Sequence, residues 1–188
     1  MSRPNLIGPR PDAAPILLGG AYLLLALAVL SRDAMPAGVL AATAVLGAAL
    51  VALSVIDLRT MRLPDAITLP LVATGPLLTF ALGWDDPLWR IAAAAAGFLA
   101  LYALARAYRA LRGRPGLGLG DAKLFAAAGA WLGLEGLPSV MLWASGVALA
   151  AVLVALLRGQ PVEASSRIPF GPFLALGFWI VWLFGPLG

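Results

Sequence analysis

No cysteine and no histidine occur anywhere in the 188 residues. The first absence removes disulfides, thiolate nucleophiles and cysteine metal sites; the second removes imidazole ligands and every triad that relies on a histidine base. Charge is scarce as well. Asp, Glu, Lys and Arg make up 12% of the chain against 62% hydrophobic residues, and the mean hydropathy is +0.95. Soluble domains carry about 25% charged residues, so a water-soluble fold is excluded and an integral membrane protein, with the lipid bilayer as its first partner, is expected. The pI near 10.3 comes from arginines between apolar runs. No basic stripe with interleaved aromatics is present, so nucleic acid is not an expected partner. No metal is expected, since thiolate and imidazole ligands are missing, and no cofactor, since no GxGxxG loop follows a strand.

A spanning helix needs about 20 mostly apolar residues. The candidate runs are roughly 13–31, 37–56, 66–83, 88–105, 121–134, 137–157 and 169–187. The expected fold is therefore all-α: a polytopic bundle of about seven transmembrane helices, with residues 1–12 as a cytoplasmic tail and 13–188 as a single membrane domain. The first run, "ILLGGAYLLLALAVL", is followed by Ser31, Arg32 and Asp33 without a clear small-residue cleavage site, and is read as a retained helix. The fifth, with "AKLFAAAGAWLG", is short and rich in Ala and Gly, which suits burial inside the bundle. Positive charge gathers in cytoplasmic loops. Arg3, Arg10, Arg59, Arg62, Arg106, Arg109, Arg112, Arg114, Arg158 and Arg167 fall on one side, against Arg32 and Arg90 with Asp33, Asp85, Asp86 and Glu135 on the other. The amino terminus is thus expected inside and the carboxyl terminus outside.

Within this apolar chain "GLGLGDAKLF", residues 116–125, places Asp121 and Lys123 at a glycine-rich helix start. An ionised group at a helix centre in hydrocarbon costs roughly 2.5–3.5 kcal/mol, which makes each a functional suspect. A partner is found in "SVIDLRTMRLPDAITLPL", residues 54–71, where Asp57 ends the second run at the depth at which Asp121 begins the fifth. Asp is also a good N-cap. That reading suits Asp65, between Pro64 and the third run, and competes at Asp121. It fails for Asp57, because an anion is disfavoured at a helix's carboxyl end.

Two carboxyls a few Å apart cannot both ionise and share a proton. The ionised member deprotonates a water, while the protonated one polarises a peptide carbonyl and then supplies a proton to the leaving amine. Gly116, Gly118 and Gly120 leave the approach to Asp121 open for another helix or an extended backbone, although a flexible loop would use the same residues. Lys123, the only lysine, has three roles open to it: tuning the pair, holding a substrate carboxyl, or snorkelling to the interface. Two other chemistries are compatible with the same residues. One is a Ser–Lys hydrolase using Ser54 and Lys123; the other is a non-catalytic transporter or assembly subunit with an intramembrane carboxylate site.

The segments "IDLRTMRLPDAITLPL", "GLGDAKLFAAAGAWLG" and "RIPFGPFLALG" together resemble the type IV prepilin peptidases, membrane aspartic proteases of the GxGD class. The motif here is Gly118-Leu119-Gly120-Asp121, and the resemblance covers roughly residues 36–188. It implies removal of a short basic leader from prepilins, pseudopilins of type II secretion or Flp pilins, at the cytoplasmic side of the inner membrane. The catalytic pair it implies is Asp57 and Asp121, with Asp65 a motif acid outside the pair and Gly118, Gly120, Lys123 and Pro64 in support. Pro169, Phe170, Gly171 and Pro172 match the family's last block, read here as a rigid start to the seventh helix, since Pro favours a helix's first turn. Many members also carry a cysteine-bearing cytoplasmic domain associated with N-methylation. A chain without cysteine resembles the short, protease-only form, and methyl transfer is not carried over to it.

Overall fold

A computed structural model describes residues 14–30, 36–113, 116–159 and 169–187. Among these the chain forms seven helices and no strand: α1 (Ala14–Leu30), α2 (Ala37–Thr60), α3 (Asp65–Leu82), α4 (Pro87–Arg112), α5 (Leu119–Leu132), α6 (Gly136–Leu157) and α7 (Gly171–Phe184). The all-α expectation holds. By length and composition α2, α3, α4 and α6 can each cross a membrane. α5 and α7 are shorter, 14 residues each, a rise of about 21 Å against roughly 30 Å of hydrocarbon.

α5 is the centre of the bundle, in contact with α3, α4, α6 and α7. Its Ala122, Leu124, Ala127, Ala128 and Ala130 have almost no exposed surface. Lipid tails are as apolar as leucine, so close backbone approach has to hold such a helix in place. A Cβ added at Gly75 of α3 would lie 2.5 Å from the Ala130 carbonyl oxygen, and one at Gly97 of α4 would lie 2.9 Å from that of Phe125. Side-chain donors complete the seating. The Trp131 indole N–H donates to the Leu71 carbonyl of α3 at 2.8 Å. The Arg90 guanidinium of α4 donates to the Trp131 carbonyl at 2.9 Å, serving one of the four acceptors that a helix leaves open at its carboxyl end. α2 lies across α7 rather than along α5, and α1 packs on both α2 and α7, with Tyr22 stacked on Trp179 at 5.5 Å.

Several element ends differ from the sequence expectation. α2 does not stop before Asp57 but runs on to Thr60, with Arg59 in its last turn and Met61 closing it in the left-handed region; a cation there suits the negative end of the helix dipole. Asp57 is therefore inside the helix, one turn from its end. α4 continues past residue 105 to Arg112, which puts Arg106, Arg109 and Arg112 on a helix rather than in a loop, and ends at Gly113 with φ 67°. Arg90 lies in the first turns of α4, paired with Asp85 at 3.3 Å. The tail 1–12 and Arg32, Asp33, Arg114 and Arg167 lie outside the described residues.

Candidate active site

Asp57 and Asp121 are both buried, 6% and 9% exposed, on α2 and α5, two helices that each pack against α3 and α7. Each is seated on a glycine amide at the start of a helix, by different routes. Asp121 is the third residue of α5 and accepts from the N–H of Gly118, the residue before that helix, at 3.1 Å. This is half of a capping box; Gly118 has no side chain to return the bond. Asp57 stands at the unfavourable end of its own helix but accepts from the N–H of Gly171, the first residue of α7, also at 3.1 Å. The positive end of the α7 dipole thus offsets what the α2 dipole opposes.

The glycines around the acids are there for contact. A Cβ at Gly171 would lie 2.6 Å from Asp57 Oδ2 and 3.0 Å from its Cγ, so any other residue pushes the carboxylate aside. A Cβ at Gly120 would lie 2.9 Å from that of Leu63, and one at Gly118 3.3 Å from Asp121 Oδ2. Gly116 lies against the Tyr108 ring. The flexible-loop reading of these glycines fits this part of the chain less well than close approach does.

Asp65 does not cap α3. Pro64 holds the N-cap position and its carbonyl accepts from the N–H groups of Ile67 and Thr68, leaving Asp65 to pair with Lys123, whose Nζ donates to Asp65 Oδ1 at 2.6 Å. Lys123 is thereby engaged on the rim of the site. Ser54 is not brought to it: the Ser54 hydroxyl donates to the Leu50 carbonyl of its own helix at 2.7 Å, so the Ser–Lys arrangement does not form. Among the described residues no cluster of three or more Asp or Glu side chains is placed to hold a metal ion.

Gly171 is the site residue that sequence reasoning misses, because Pro169–Pro172 reads only as a rigid start to a helix. A glycine caught between Phe170 and Pro172 was the available signal, since neither a turn nor an N1 position requires glycine there.

The structure defines the class of apolar helix bundles that keep carboxyls buried on separate helices. Within it, this chain belongs to the type IV leader peptidase family, whose profile matches residues 44–156, a stretch that includes both acids. It is 48% identical over 138 residues to the prepilin leader peptidase/N-methyltransferase of Aeromonas salmonicida (strain A449), covering 72% of this chain and 46% of that protein. It is 40% identical over 174 residues to the protein of the same name from Burkholderia pseudomallei (strain 1026b), covering 89% and 56%. The counterpart from Neisseria gonorrhoeae is 36% identical over 137 residues, covering 73% and 46%. The chain thus spans about half the length of the curated relatives it matches. No solved structure matches it. Family and helices together make this a multi-pass membrane protein.

Proposed function

We propose that this chain is a membrane-embedded aspartic endopeptidase that removes the leader from type IV prepilins or related pseudopilins, with Asp57 and Asp121 as its catalytic pair. The observation that supports the reading is that two carboxyls inside the family-matched segment are buried, each with Oδ2 taken by a glycine amide at a helix start. The remaining Oδ1 atoms do the chemistry. One carboxylate takes a proton from water as it attacks the scissile carbonyl; the protonated partner polarises that carbonyl and then protonates the leaving amine. The proposal covers the peptidase half of the relatives' name, because paired carboxyls are a hydrolytic rather than a methyl-transfer device. Arg59, Arg62, Arg106, Arg109 and Arg112 flank the acid-bearing helix ends, which supports a cytoplasmic site in the inner membrane by the positive-inside rule.

The test is leader release from a prepilin by membranes carrying the wild type, Asp57→Asn, Asp121→Asn or Ser54→Ala. Either Asn variant is expected to lose cleavage while Ser54→Ala keeps it. Cleavage that survives Asp121→Asn rules the mechanism out, and a wild type that releases no leader favours the transporter or assembly-subunit reading.

A further inference from the structure

The proposed reaction needs Asp57 and Asp121 held at one separation, yet α2 does not pack along α5; the two helices are joined through α3 and α7. On the α3 side the junction is short and made at two points. The turn Met61–Pro64 leads out of α2, and its Leu63 lies directly over Gly120, the residue before Asp121. Two residues beyond Leu63 and three beyond Gly120, Asp65 at the head of α3 meets Lys123 across 2.6 Å. Met61 has φ 54°, the one positive value at a non-glycine position among the described residues, so the turn is held in a conformation its own residue does not favour. The two charged side chains are 29% and 57% exposed, and a pair in that setting adds little to stability. Resting on the reading of Asp57 and Asp121 as the working pair, we infer that the Lys123–Asp65 ion pair, with Leu63 seated on Gly120, is a clasp that sets the distance between the two acids. Lys123 and Asp65 are positioning residues and do not touch the reacting atoms.

The test uses the full chain in phospholipid vesicles with a prepilin substrate. Lys123→Met and Asp65→Asn are each expected to lower kcat about 10- to 100-fold with KM within about twofold, since small misplacements of reacting groups cost that much. The double variant should be no slower than the slower single one, because both break one contact, and Lys123→Arg should restore most of kcat. Unchanged kcat in the single variants, losses that multiply in the double variant, or a raised KM with kcat kept would each overturn the clasp. A second measurement needs no activity. The chain has no cysteine, so Asp57→Cys with Asp121→Cys supplies two thiols whose joining by a short bifunctional thiol reagent reports their separation. Adding Lys123→Met should slow the joining about fivefold or more if position is what the clasp controls; equal rates sink the inference. A wild type that cleaves nothing would count against the peptidase reading and leave the thiol experiment to judge the clasp.

Discussion

The two buried acids are held by the same kind of bond from opposite kinds of neighbour. Asp121 takes its amide from Gly118, three positions away at the head of its own helix. Asp57 takes its amide from Gly171, 114 positions away on α7. The first seat forms whenever α5 forms. The second exists only when α2 and α7 have docked, so Asp57 reports on the assembled bundle and Asp121 on a local turn. That asymmetry makes the two acids unequal in their sensitivity to distant change, although they contribute matched groups to the proposed reaction.

The comparison breaks most completely at the carboxyls themselves. Asp57→Asn and Asp121→Asn should each lower leader cleavage by more than about 1,000-fold, as loss of a member of a catalytic unit does, measured as initial rate at saturating prepilin. Gly171→Ala comes next. Its new Cβ would meet Asp57 at 2.6 Å, and the rate should fall about 10- to 100-fold through displacement of one reacting group, with the protein still monodisperse in detergent. Gly118→Ala tests the local seat: at 3.3 Å from Asp121 Oδ2 the added methyl requires only a few tenths of an ångström of adjustment, and a loss below about fivefold is expected. A Gly118→Ala loss equal to that of Gly171→Ala would erase the distinction between the two seats. The smallest effect is expected away from the acids. Trp131→Phe removes the indole bond to Leu71 and should lower stability by about 1 kcal/mol, read by thermal unfolding, with cleavage at ordinary temperature little altered.

What could be read from the sequence follows the same division between local and distant. The helices were legible because apolar runs of spanning length have one interpretation in a chain this poor in charge. Asp121 was legible because its glycines and its helix start are contiguous with it. Asp57 stood out as an acid where a helix dipole opposes one, but the amide that resolves the conflict belongs to a segment no local pattern connects to it. The apolar pattern ends α2 too early because Asp57 interrupts hydropathy without interrupting the backbone: Leu58, Arg59 and Thr60 continue the helix until Met61 turns left-handed. Asp65 reads as a cap from its position after a proline, and only the approach of α5, 58 residues along the chain, shows its charge going to Lys123 instead.

The bond from the Arg90 guanidinium to the Trp131 carbonyl bears on α5 as a whole. With that guanidinium near one end and the Gly118 and Lys123 contacts near the other, the central helix is held at both ends. Asp121 thus sits ten residues from the Trp131 anchor, about 15 Å along the helix, so loosening that anchor would let the helix shift beneath the carboxyl even though the Gly118 seat stays intact.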